Sequence, residues 1–229
     1  MKPYYQDKSC TLFHGDCAEI VPELVGNSKN PPHDLLFLDP PFDAYEKARF
    51  PRFSTTLAFT NWQNREAVTS VLGSPRCELV WHFSVGRWTS HKLPRQTHEL
   101  ILAYGPTGEA YVGEEQDTTP IKKSRGCVGK SFMGPRMYRP RPRKILGSVI
   151  NCPRAVNGPL GAWGKPLPLI KTLLEWAGRG SVLDPFCGGG TTLLAARELG
   201  MTAVGIELDE AHCEIAAKRM SQGVMELSK

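Results

Sequence analysis

The chain has 229 residues, 41% of them hydrophobic and 22% charged, and a net charge of +5. That length buries one substantial core, so one domain with an insertion is expected rather than two full domains. No apolar run reaches the roughly 18 residues that a membrane span needs, and the opening "MKPYYQDKSC" is polar, unlike a secretory leader.

Taken in chain order, "CTLFHGD" reads as a strand whose end presents Asp16, and "AEIVPEL" as a short helix. "DLLFLDPP" reads as a buried strand that runs into Asp39, Pro40, Pro41 and the aromatic Phe42. "NREAVTSVL" fits a helix, and "CELVWHFS" and "HELILAYG" fit two strands. After Gly105 the chain turns polar, glycine-rich and then basic, and sheet-like sequence resumes only at "ILGSVINCP". Residues 106–146 are therefore expected to form an insertion. It would separate a first half, 1–105, from a second half, 147–229, of one domain.

The pattern is clearest beyond residue 160. "KPLPLIKTLLEWAGRG" places Ile170, Leu173, Leu174 and Ala177 on one helical face, opens on prolines and closes on glycine. There follow the strand "SVLDPF", a glycine turn entering the helix "GGGTTLLAARELG", the strand "TAVGIELD" and the helix "EAHCEIAAKRM". Helix and strand alternating across short loops predict a mostly parallel sheet with helices on both faces. The fold class is α/β, Rossmann-like.

Ligands of such sheets lie beyond the carboxyl ends of the strands, which makes Asp184, Gly188 to Gly190 and Glu207 candidates for one pocket. Glycines admit a ligand close to the backbone, and an acid at the next strand end suits ribose hydroxyls. Leu193 stands where the dinucleotide fingerprint needs glycine, and no phosphate loop with its lysine is present, so a nucleoside without phosphate is expected. Tight strand-to-helix packing is the alternative use of such a turn.

Charge is concentrated. Residues 121–144 hold nine positive charges (Lys122, Lys123, Arg125, Lys130, Arg136, Arg139, Arg141, Arg143 and Lys144) and no acid, so the rest of the chain carries −4 against the total of +5. A near-neutral globule with one basic segment suggests a polyanion contact confined to it, the alternative being a solvated loop. The seven cysteines are scattered without a CxxC pair, which fits neither a disulfide framework nor a zinc site and points to a reducing cytoplasm. The six histidines show no ligand spacing, and no metal is expected.

"LDPPF" at 38–42 and "VLDPFCGGGTT" at 182–192, in that order, resemble the amino-methyltransferases that use S-adenosyl-L-methionine to methylate exocyclic nitrogens of DNA bases. With the catalytic motif first, the chain resembles their permuted β class, over most of its length outside 106–146. The resemblance implies a bacterial or phage-encoded modification enzyme, of the kind found in restriction-modification systems. Its expected partner is double-stranded DNA, with no membrane, and a homodimer is one option. It implies a catalytic set of Asp39, Pro40, Pro41 and Phe42. It further implies a cofactor set of Asp16, Lys165, Pro166, Asp184, Phe186, Gly188, Gly190, Thr191, Thr192 and Glu207, with Asp16 near the adenine of the cofactor. Residues 106–146 take the place of the target-recognition segment, so Arg136, Arg139, Arg141 and Arg143 become candidates for phosphate or guanine contacts. Glu99 matches a position that is frequently acidic in such enzymes. The chain departs from the family at "GPLGAWGKP": Lys165 and Pro166 match, whereas the usual His-Pro-Thr approach is missing, and Trp163 stands where it would cover the cofactor or simply fill a groove.

The motif at 39–42 suits this chemistry. An exocyclic amine is a poor nucleophile because its lone pair is delocalised into the ring. A carboxylate (Asp39) and a carbonyl (Pro40) accepting its two hydrogens hold the nitrogen toward the methyl group and favour sp³ character. Phe42 offers a π-face to a base rotated out of the duplex, worth about 1 to 3 kcal/mol, which is comparable with the cost of extrusion. The resemblance implies N6 of adenine, because cytosine-N4 enzymes usually carry Ser at the position of Asp39. Cytosine N4, an RNA acceptor and a non-catalytic nucleic-acid binder remain the alternatives.

Overall fold

The computed structural model describes residues 1–26, 32–41, 50, 53–87, 96–108, 111–112, 144–155, 164–178 and 180–226. Phe42, Trp163 and the basic positions Lys122, Lys123, Arg125, Lys130, Arg136, Arg139, Arg141 and Arg143 lie outside the described residues.

Among the described residues, strands and helices follow one another as β1 (Tyr5–Gln6), β2 (Cys10–His14), α1 (Cys17–Val25), β3 (Leu35–Leu38), β4 (Thr55–Thr60), α2 (Arg65–Leu72), β5 (Cys77–Arg87), β6 (Gln96–Tyr104), β7 (Tyr111–Val112), β8 (Lys144–Ile145), β9 (Val149–Asn151), α3 (Leu167–Ala177), β10 (Ser181–Asp184), α4 (Thr191–Glu198), β11 (Thr202–Glu207) and α5 (Glu210–Glu226). Nine of these strands form one sheet in the order β1-β2-β11-β10-β3-β4-β6-β5-β9. The run β2-β11-β10-β3-β4 is parallel throughout. β6 is antiparallel to both its neighbours, and β1 is antiparallel to β2, so the sheet is mixed.

Period-two alternation splits the core in two. Leu35 and Phe37 of β3, Leu57 and Phe59 of β4, and Ile101 and Ala103 of β6 point to one face, where they meet Leu169, Ile170, Leu173 and Leu174 of α3, Leu193 and Ala196 of α4, and Ala216 and Met220 of α5. Leu36 and Leu38, Ala58 and Leu102 point to the other face, against Ile20, Val21 and Val25 of α1 and Val68 of α2. Both faces being covered explains why β3 and β4 are buried at every position and carry no polar alternation.

The sheet is continuous across the two ends of the chain. β2 lies beside β11, with Glu207 opposite His14, although the two are at opposite ends of the chain. The two ends of the segment expected as an insertion meet in a small ladder, β7 with β8, and Gly108 N donates to Trp176 O at the end of α3 (2.8 Å).

Candidate active site

The parallel run sets four acids along one edge. Asp16, Glu207, Asp184 and Asp39 stand at or just past the carboxyl ends of β2, β11, β10 and β3, four successive strands. The antiparallel β6 brings Glu99 to the same edge, one residue beyond the pairing of Leu100 with Thr60. β5 and β9 pair there with Asn151 opposite His82, and Arg154 follows.

Asp16 caps α1, its Oδ1 accepting from Ala18 N at 2.8 Å. Glu207 ties the glycine turn to the next loop: its Oε2 accepts from Gly188 N and its Oε1 from Asp209 N, both at 2.8 Å. The turn is held from its far side by Arg219 of α5, which donates to Gly189 O and to Thr191 Oγ1. Gly190 enters α4 with φ 75, and a Cβ there would fall 2.9 Å from that of Ala216. Both conformation and space therefore demand glycine.

Asp184 is 2% exposed. Burial pushes its carboxyl up to about 7, against hydrogen bonds from the Thr192 hydroxyl and Phe186 N, and the negative charges of Asp39 and Glu207 push the same way as burial. Above about pH 4 the unfolded chain releases this proton while the native state retains it to near pH 7, so the group lowers stability progressively across that window. The loss is on the order of a few kcal/mol and is complete above about pH 7. Asp184→Asn removes the titration and keeps the acceptor for Phe186 N. Urea denaturation from pH 4 to 8 should show the variant gaining on the wild type as pH rises; parallel curves would contradict the assignment.

Asp39 is 29% exposed and makes a two-oxygen contact with Lys165, whose Nζ lies 2.7 Å from Oδ1 and 2.6 Å from Oδ2. The structure thus sets Lys165, expected at the cofactor, on the acid of the motif expected to be catalytic. Lys165 also lies 3.5 Å from Glu99 Oε2, and Glu99 Oε1 pairs with Arg154 at 3.0 Å. Burial works against the ammonium charge of Lys165, but Asp39 and Glu99 more than offset it and hold it above its usual range. Pro40 is buried and Pro41 exposed, and Phe50, beyond the motif, packs edge-on against Phe186 with centroids 6.0 Å apart.

Two residues at this edge were not singled out from sequence. Leu208 is 69% exposed beside Glu207, and its position was legible as an apolar residue directly after a strand-end acid. Arg154 is a single basic residue in "NCPRAVNG" and carried no local signal. A cavity of about 300 Å³ lies elsewhere, at the amino-terminal ends of β3, β4 and β10. Its polar groups bond one another, Ser181 N and Oγ donating to Asp34 Oδ2 at 2.8 and 2.9 Å, so it is a poor receptor. Among the described residues no His, Cys, Asp or Glu cluster suits a metal ion, and no helix is long and apolar enough to cross a membrane.

A family model described as DNA methylase, of the N6/N4 type, matches residues 74–218. The chain belongs to this DNA methylase family. Among its relatives, the type II methyltransferase M.HindIII of Haemophilus influenzae is 45% identical over 58 residues, 24% of this chain and 19% of that one. M.ScaI of Streptomyces caespitosus is 51% identical over 41 residues, 18% and 14% of the two chains. The matches thus span less than a fifth of those relatives' length. Solved structures extend the likeness in fold to most of the DNA methylase chain. An M1.HpyAVI–SAM complex has a TM-score of 0.61 at 19% identity, covering 92% of this chain and 99% of that one. The cytosine-N4-specific PvuII DNA methyltransferase has a TM-score of 0.65 at 12% identity, covering 94% and 88%. TTHA0409 of Thermus thermophilus, complexed with S-adenosyl-L-methionine, has 0.56 at 18%, covering 92% and 93%.

Proposed function

We propose that this DNA methylase transfers a methyl group from S-adenosyl-L-methionine to N6 of an adenine rotated out of double-stranded DNA. The observation that carries the reading is the row of carboxylates Asp16, Glu207, Asp184 and Asp39 on four successive strand ends, with a glycine turn after β10. The donor set fits the cofactor. Acids and a turn free of side chains suit ribose hydroxyls, an amino group and a cationic centre, and they repel phosphate; the exposed Leu208 offers an apolar surface to a ring beside Glu207. When bound, the cofactor supplies an electrophilic sulfonium methyl.

Asp16, Glu207 and Leu208 would hold its nucleoside end, while Asp184, Phe186, Gly188, Gly190, Thr191 and Thr192 line the turn. Asp39 accepts one hydrogen of the target amine and Pro40 O the other, which points the nitrogen lone pair at the methyl group. Phe42 stacks on the extruded base, and the basic positions of 121–144 contact the phosphates. Asp at position 39, where N4 enzymes usually carry Ser, favours adenine.

The test is to incubate the purified protein with unmethylated plasmid DNA and cofactor, digest to nucleosides and identify the product by mass spectrometry. N6-methyldeoxyadenosine is expected. N4-methyldeoxycytidine would overturn the base assignment, and no methylated base from a protein that binds cofactor would overturn the reading itself.

A further inference from the structure

We propose that Lys165 is a positioning residue for Asp39: its ammonium fixes the carboxylate in the orientation that receives the target amine, and it makes no contact with the cofactor. The inference rests on the reading of Asp39 given above. An ammonium has three hydrogens. Nζ lies 2.7 and 2.6 Å from Asp39 Oδ1 and Oδ2, between the two oxygens, and 3.5 Å from Glu99 Oε2 on another side. A lysine so engaged spends its charge on two acids of its own chain rather than on a cofactor carboxylate or a DNA phosphate. Each oxygen of Asp39, by contrast, retains a lone pair for an incoming amine hydrogen.

Aromatic rings and a second ion pair hold the ammonium in place. Nζ lies over the Phe59 ring, 4.9 Å from its centroid, and 6.0 Å from that of Trp81. Glu99 is held in turn by Arg154, whose guanidinium sits 3.8 Å over the Phe83 ring and 5.6 Å from that of Trp81. The backbone is fixed by Pro166, which caps α3 with φ −65, and by the fully buried Ile170, Leu173 and Leu174 below it. The result is an alternating row, Asp39, Lys165, Glu99 and Arg154, in which every charge faces its opposite. Asp39 is the most solvent-exposed member of this row, and the two-oxygen contact removes the rotation about its side chain that exposure would permit.

The experiment compares K165M, K165R and wild type by cofactor-binding titration, single-turnover methylation at saturating cofactor, and crystal structures. K165M should lose about 10- to 100-fold in single-turnover rate, the cost of a carboxylate misplaced by an ångström or so. Cofactor Kd should stay within about threefold, and K165R, which keeps the charge in a larger planar group, should recover part of the rate. In crystals of K165M the Asp39 carboxylate should leave its wild-type position. A cofactor Kd weakened about tenfold or more at an unchanged saturated rate would overturn the proposal and make Lys165 a cofactor residue. An unmoved Asp39 carboxylate would also overturn it. Should K165M fail to fold, E99Q, which loosens Lys165 from its far side, should lower the rate and leave cofactor binding unchanged; no loss of rate would overturn the proposal. A wild-type protein that binds cofactor and methylates nothing would sink the function proposed above, while the crystallographic position of Asp39 would still decide the role of Lys165.

Discussion

Asp39→Asn should lower the single-turnover methylation rate by at least about 10³-fold while leaving cofactor affinity within about threefold of wild type. The substitution is nearly isosteric and keeps one acceptor oxygen, so a purely spatial role would survive it. It replaces the other oxygen with an NH₂ group, which sets donor against donor toward both the target amine and Lys165 Nζ. It also removes the negative charge that stabilises the cationic nitrogen formed as the methyl group arrives. Loss of one oriented electrostatic contact at a reacting centre costs about 10²- to 10³-fold, and here the half-buried Lys165 also loses the nearer of its two counter-charges. Calorimetric titration with cofactor, run beside the rate measurement, separates this from misfolding.

Glu207→Ala should weaken cofactor binding by at least about 100-fold, with Glu207→Gln recovering part of the loss. The side chain accepts two backbone hydrogen bonds, from Gly188 N and Asp209 N, and so fastens the glycine turn to the loop that carries Leu208. Hydrogen bonds to a charged acceptor contribute about 1.5 to 3 kcal/mol each, and alanine removes both together with the acceptor proposed for the ribose hydroxyls. Glutamine keeps one acceptor only. Equilibrium titration of both variants checks the effect. Substitutions at Asp39 and Glu207 should therefore fail in different assays, the first at chemistry and the second at binding.

The half of the fold that surrounds the proposed cofactor site was legible because its elements are short, regular and punctuated. α3, β10, α4 and β11 are bounded by Pro166, Gly178, Gly190 and Gly200, and their apolar residues keep helical or strand period. The first half was less so. β4 carries six buried residues in a row, TTLAFT, because helices cover both faces of the sheet, and such a run has no polar alternation to mark it. The direction of β6 was also hidden. Its buried run, Ile101 to Ala103, reads the same in either direction, and only the return of the chain beside β4 makes it antiparallel.

The site divides in the same way. Asp184, Glu207 and the glycines sit at the ends of recognisable strands, so their position leads to them directly, while the role of Asp39 is what the resemblance of its motif implies. The partner of Asp39 could not be found so, since Lys165 is 126 residues away and is brought in by the tertiary position of α3. Arg154 joins the row only because β9 lies parallel to β5. Ion pairs of this kind leave no periodic trace in a single sequence.

The most direct test of the central claim, that one sheet edge both binds the methyl donor and orients the acceptor amine, is transfer of a radiolabelled methyl group from S-adenosyl-L-methionine to unmethylated DNA, with wild type and Asp39→Asn assayed in parallel at saturating cofactor. The account predicts label in DNA with the wild type and a rate lower by at least about 10³-fold with the variant, although both bind cofactor. A wild type that binds cofactor without labelling DNA, or a variant within about tenfold of wild type, would contradict it.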